Sequence, residues 1–166
     1  MMAPTAQPAA APPAGCATAA VAPAQTHSTA DITVIIVNWN AGPLLHNCLK
    51  HLRQQTLQPA KVILVDNASS DQSWDLPDEL KTWAALSLQR MDRNLGFAAG
   101  NNHALKQCTT EFVALLNPDA FAATDWLEHL RAAAHQHPQA AAFGSRQLCH
   151  EAPGMLRSEE HTSELQ

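Results

Sequence analysis

From Glu111 to Asp119 the chain reads Glu-Phe-Val-Ala-Leu-Leu-Asn-Pro-Asp, an apolar run that stops abruptly at a carboxamide, a proline and a carboxylate. A short, uninterrupted apolar run of this kind predicts a strand over 111–116, buried as strands of parallel sheets are. Pro118 offers no N–H to a ladder, so the strand must end there, which delivers Asn117 and Asp119 to the carboxyl edge of the sheet. That edge is where open α/β sheets bind ligands. Asn117 and Asp119 lie two residues apart and both carry oxygen donors, so they can face one crevice and hold a hard cation such as Mg²⁺ or Mn²⁺. On this stretch alone, a proline turn with Asp119 capping the next helix is the more ordinary reading.

Two other segments repeat the pattern. Ile32 to Val37 is a β-branched run that ends in Asn38 and Asn40, and Lys61 to Val65 is a second that ends in Asp66-Asn-Ala-Ser-Ser-Asp71. After the first, Pro43 suits the opening turn of a helix, with Leu44, Leu45, Cys48, Leu49 and Leu52 at helical spacing on one face. A weak helix over 77–85 and a short strand over 86–91 are expected next. Asn94-Leu-Gly-Phe-Ala-Ala-Gly-Asn-Asn102 then reads as a glycine turn entering a helix, whose free N–H groups suit a diphosphate. Beyond Asp119, Trp126, Leu127 and Leu130 mark the packing face of another helix, and Ala140 to Phe143 reads as a further strand. Four or five strands with flanking helices are expected in all.

In this order and spacing, Ile-Ile-Val-Asn-Trp-Asn at 35–40, Val-Asp-Asn-Ala-Ser-Ser-Asp at 65–71, Asn-Leu-Gly-Phe-Ala-Ala-Gly-Asn-Asn at 94–102 and Leu-Leu-Asn-Pro-Asp at 115–119 resemble the family 2 glycosyltransferases. Within that family they look most like the rhamnosyltransferase-type branch acting on bacterial cell-surface polysaccharides. The resemblance covers residues 32 to about 156. It implies the N-terminal half of a GT-A fold, a Rossmann-like, mostly parallel sheet with flanking helices. It also implies a nucleoside diphosphate sugar donor, with dTDP or UDP as carrier, a divalent cation and a saccharide or lipid-linked saccharide acceptor. The family's Asp-x-Asp metal motif falls on Asn117-Pro118-Asp119, which makes Asp119 the metal ligand and leaves a neutral amide at Asn117. Asp66 and Asn67 take the place of the turn that reads the imide edge of uracil or thymine. Val37, Asn38, Asn40, Asn94, Gly96, Phe97, Gly100 and Asn101 complete the implied nucleotide-binding set. The general base that takes the acceptor's proton comes from a later motif in this family, so no catalytic residue is assigned. Two other readings stay open: a nucleotide-binding fragment without catalysis, and a sugar-nucleotidyltransferase, against which Asn38-Trp-Asn-Ala-Gly-Pro43 lacks the basic residues of a glycine-rich loop.

The remaining features narrow the class. The formal charge is −5 and aromatic residues make up 5%, with no basic run, so a nucleic-acid groove is not expected. Residues 1–30 are rich in Ala and Pro and carry no Lys, Arg, Asp or Glu, which predicts a disordered arm or a misassigned start. The arm has no basic n-region, and no stretch approaches the roughly 18 apolar residues of a membrane span. A cytoplasmic location, at the inner membrane face as one option, is the expectation. Cys16, Cys48, Cys108 and Cys149 form no Cys-x-x-Cys pair, and His135-x-His137 reads as solvated surface. Arg157-Ser-Glu-Glu-His-Thr-Ser-Glu-Leu-Gln166 matches, codon for codon, a common sequencing-library adapter read in frame, so residues 157–166 are expected to be an artefact in place of natural sequence. The ordered region is then 31–156, an incomplete sheet whose open edge predicts poor solubility.

Overall fold

A computed structural model of the chain describes residues 31–148; the arm over 1–30 and the tail over 157–166 lie outside the described residues. Four strands form one parallel sheet: β1 (Ile32–Asn38), β2 (Lys61–Asp66), β3 (Leu86–Arg90) and β4 (Phe112–Leu115). Helices α1 (Pro43–Arg53), α2 (Asp78–Lys81), α3 (Phe97–Leu105) and α4 (Trp126–Gln136) alternate with them. The strand order is β3-β2-β1-β4. The chain winds outward through β2 and β3, then crosses back to place β4 on the other flank of β1. That reversal sets a switch point at the carboxyl ends of β1 and β4, the position of the ligand crevice in doubly wound sheets.

The alternation of side chains along β1 divides the core. Ile32, Val34 and Ile36 face α1 and α4, packing with Leu45, Cys48, Leu49, Leu52 and Leu127, while Ile35 and Val37 face α3 and pack with Ile63, Val65 and Ala104. All seven residues of β1 are buried, as its central place between β2 and β4 requires. Pro43 opens α1 at its first turn. Leu45, Cys48, Leu49 and Leu52 are buried as their spacing predicts, whereas Leu44 is 43% exposed. It sits beside the packing stripe, not on it.

Two expected elements differ. The helix expected over 77–85 is only Asp78–Lys81, because the chain turns at Thr82 and Trp83 to enter β3, with Leu86 N–H donating to the Trp83 carbonyl. The strand expected over 140–143 does not form. That alanine-rich run stays exposed without a pairing strand among the described residues, and Ala140 N–H turns back onto the His137 carbonyl. Alanines bury too little apolar area to repay the ordering of an isolated strand. After Asp119, α4 begins only at Trp126, with Asp125 at its N-cap position, so Asp119 does not cap a helix. Among the described residues no helix is long and apolar enough to cross a membrane.

Candidate nucleotide site at the strand ends

The carboxyl ends of β1, β2 and β3 lie in strict register: Asn38 opposes Asp66, and Asp66 opposes Arg90. Parallel pairing brings these three polar side chains into one row. Asn38 and Asp66 are fully buried. Burying an amide and a carboxylate is costly unless each is bonded, and here the bonds are supplied internally. Asn38 Nδ2 donates to Asp66 Oδ1 at 2.9 Å and faces Ser69 Oγ at 3.1 Å and Ser73 Oγ at 2.8 Å. Asp66 Oδ2 accepts from Ser69 N–H at 3.3 Å and lies 3.8 Å from Arg90 Nε. Asn38 Oδ1 is buried without a partner.

The turn after β2 is tied down on both sides. Asn40, in the left-handed region with φ 52°, accepts at Oδ1 from Ser70 N–H at 2.8 Å and Asp71 N–H at 3.3 Å. Asp71 accepts from Ser73 N–H and Gly42 N–H, both within 2.9 Å. Desolvation pushes the Asp71 pKa up, but the Ser73 and Gly42 bonds outweigh it and hold the carboxyl below its ordinary value. On the other side Asn67 Nδ2 donates to Asn94 Oδ1 at 2.7 Å, while Asn67 Oδ1 accepts from Leu95 N–H at 2.9 Å. Asn94 Oδ1 also accepts from Gly96 N–H at 2.7 Å. This relay fixes the turn that leads into α3, where Gly96 adopts φ 81°, a conformation L side chains rarely take.

The β4 side of the crevice is built differently. Asn117 and Asp119 are exposed, and only the backbone of that turn is bonded, Ala120 N–H to the Asn117 carbonyl. Beneath it Cys48 Sγ lies 3.5 Å from the Asn117 carbonyl oxygen. Burial, with the Asp119 charge adding to it, pushes the Cys48 thiol up to about 12, so it stays protonated and unreactive.

The residues singled out from the sequence therefore fall into two groups. Asn40, Asn94, Gly96, Phe97, Asn117 and Asp119 are exposed along the rim, and Val37, Asn38, Asp66, Asn67, Gly100 and Asn101 are buried behind it. Gly100 packs on Val37 so closely that a Cβ would lie 2.9 Å from Val37 Cγ1, which makes this pair an α3–sheet contact and turns both inward. Asn101 Nδ2 folds back onto the Phe97 carbonyl at 3.0 Å within α3. Sequence reasoning passed over Trp39, which stands 59% exposed immediately after Asn38 although it lies inside a quoted motif. It also passed over Ser69 and Ser73, whose part in the network depends on a fold-back of the turn, and over Arg90 and Trp74.

No three His, Cys, Asp or Glu side chains converge on a metal-sized site among the described residues. The exposed Asn117 and Asp119 still suit a cation that arrives with its own ligands. Mg²⁺ is commonly bound through one or two carboxylates, with phosphates and waters supplying the rest.

Residues 33–161 match the sequence profile of the family described as "Glycosyl transferase family 2". The chain belongs to that family. It is 33% identical over 120 residues to the O-antigen chain rhamnosyltransferase RfbN of Salmonella typhimurium, covering 72% of this chain and 38% of RfbN. It is 32% identical over 103 residues to the teichoic acid poly(glycerol phosphate) polymerase of Staphylococcus epidermidis, covering 58% of this chain and 14% of the polymerase. The fold is similar to that of S. aureus TarS, with a TM-score of 0.58 at 25% identity over 64% of this chain and 20% of TarS. A shorter TarS form in complex with UDP aligns at 23% identity with the same TM-score of 0.58, over 70% of this chain and 38% of that one. The family 2 chain thus spans well under half the length of these relatives.

Proposed function

We propose that this chain is the donor-binding region of a glycosyltransferase that moves a sugar from UDP or dTDP to a saccharide or lipid-linked saccharide acceptor in cell-surface polysaccharide synthesis. The observation that carries the reading is the concentration of polar side chains at one sheet edge. Three strand ends in a family 2 chain supply Asn38, Asp66 and Asn117-Pro118-Asp119 around the β1–β4 switch point. RfbN is named as a rhamnosyltransferase and TarS was crystallised with UDP, which favours a nucleoside diphosphate sugar here.

In this reading the buried row, with Asn67 and Asn94, holds the turns in shape, and the exposed side chains touch the donor. Trp39 and Phe97 offer ring faces for a base or ribose, and the first amides of α3 face its polar edge. Asp119, helped by Asn117, holds a divalent cation such as Mg²⁺ or Mn²⁺ together with the diphosphate. Such a cation stabilises the charge that gathers on the departing diphosphate. The base that deprotonates the acceptor is assigned to no residue described here.

Titration calorimetry of UDP and dTDP, with and without Mg²⁺ or Mn²⁺, tests the proposal. Binding is expected to tighten with the cation by about tenfold or more, each 1.4 kcal/mol being a factor of ten. Asp119→Ala is expected to abolish that increment while leaving cation-free binding in place. An increment of undiminished size in Asp119→Ala would remove Asp119 from the role.

A further inference from the structure

The row of strand ends also carries a cation, Arg90. It stands at the carboxyl end of β3, in register with Asp66, half-exposed. Its guanidinium carbon lies over the Trp74 ring, 3.6 Å from the centroid, a cation–π contact that limits where the group can swing. The contact with Asp66 is an ion pair at 3.8 Å, too long for a hydrogen bond, and no other acceptor meets the guanidinium among the described residues. A guanidinium anchored by one ring and one buried carboxylate thus keeps N–H donors open to solvent at the rim. Asp66, behind it, is wholly buried with both oxygens engaged by Asn38, Ser69 and the Arg90 charge, and has no free surface with which to meet a ligand.

We propose that Arg90, held by Trp74 and backed by Asp66, is the residue that reads the donor's nucleobase, selecting a pyrimidine with a carbonyl at its edge, as in uracil or thymine, over cytosine. This rests on the donor-binding reading above and assigns the base-reading role to Arg90 instead of Asp66 and Asn67, whose side-chain atoms are taken up within the protein. The sheet gives the distance argument. From β4 to β3 is three inter-strand steps, about 14 Å. A nucleoside diphosphate whose phosphates sit by Asp119 at β4 lays its base toward β3. Guanidinium N–H groups donate to the O4 carbonyl of uracil or thymine, whereas cytosine presents an amino group there, donor against donor.

Calorimetry of UDP, dTDP and CDP with the purified 166-residue chain in Mg²⁺ tests this. The unsubstituted chain is expected to prefer UDP and dTDP over CDP by about tenfold or more, as a charge-assisted hydrogen bond allows. Arg90→Met is expected to bring UDP and CDP within about threefold of each other by weakening UDP. Trp74→Leu frees the guanidinium and is expected to give an intermediate ratio. Arg90→Lys keeps a cation beside Asp66 and an N–H donor but not the planar fork, so it is expected to melt like the parent with a weakened preference. A purely structural Arg90 would leave the UDP-to-CDP ratio unchanged in all three variants, and that result, or a parent that prefers CDP, overturns the inference while nucleotide binding stands. Failure of the parent to bind any of the nucleotides would instead remove the donor-binding reading itself.

Discussion

The two sides of the crevice are made of similar residues and built on opposite plans. At the end of β2, Asp66 and Asn67 are buried and spend their polar atoms on Asn38, Ser69, Asn94 and Leu95. At the end of β4, Asn117 and Asp119 are exposed, and their side chains meet no hydrogen-bond partner among the described residues. The difference follows from position in the sheet. β2 is an inner strand flanked by β1 and β3, so side chains at its end are covered by neighbouring turns. Among the described residues β4 has one neighbouring strand, β1. On the proposed donor-binding reading, a nucleoside would meet a rim already fixed by the fold, and a cation with a diphosphate would meet groups that it must organise itself.

If this contrast is right, the largest loss of stability should come from the β2 side. Asp66→Ala takes away the acceptor of Ser69 N–H, one of the three oxygens facing Asn38 Nδ2 and the partner of the Arg90 charge, all at a buried position, at a cost of about 2 to 4 kcal/mol. Urea titration of the variant should show that loss, while Asp119→Ala should lie within about 0.5 kcal/mol of the parent. Equal effects at the two positions would erase the distinction between a built side and an open one.

The second expected effect concerns the floor of the site. Gly100→Ala places a Cβ 2.9 Å from Val37 Cγ1, and valine, stiff at χ1 and buried in the sheet, cannot step aside. The overpacking should cost about 1 to 3 kcal/mol, offset in part by alanine's better helix propensity. Val37→Ala in the same chain should recover most of it, so that a double-mutant cycle reports a favourable coupling. Additive losses would mean that Gly100 is held for the approach of a ligand and not for that of the sheet.

How much of this was legible in the sequence follows the same division. The β1 and β2 runs, with Val, Ile and Leu broken only by Thr33, read plainly as buried parallel strands, and Pro43 and Gly96 marked the entries to α1 and α3. The polar residues at the strand ends were legible as well. Their burial was not. Asp66 and Asp119 are both carboxylates following apolar runs, and only the pairing order says that one ends an inner strand and the other an edge. Arg90 and Asp66 are far apart in sequence, and a register fixed by hydrogen bonds across β2 and β3 makes them neighbours. The 140–143 run failed for the converse reason: local apolarity predicts a strand, but a strand needs a partner.

The smallest effect is expected where the built side stores strain. Ala68 sits in the turn after Asn67 with φ 61°, a conformation that costs an L residue about 1 to 2 kcal/mol. The turn tolerates it because Asp66, Ser69, Ser70 and Asp71 are bonded on either side. Ala68→Gly removes the strain and adds about 0.5 to 1 kcal/mol of chain entropy to the unfolded state. The net gain should be about 0.5 kcal/mol, a rise of roughly 2 °C in Tm by calorimetry. Nucleotide affinity should hardly move, since the neighbouring bonds and not Ala68 set the shape of the rim. A variant that gains stability but loses affinity would show instead that the strained alanine itself keeps the turn in its binding shape, and the rim of β2 would then be less completely built than its hydrogen bonds suggest.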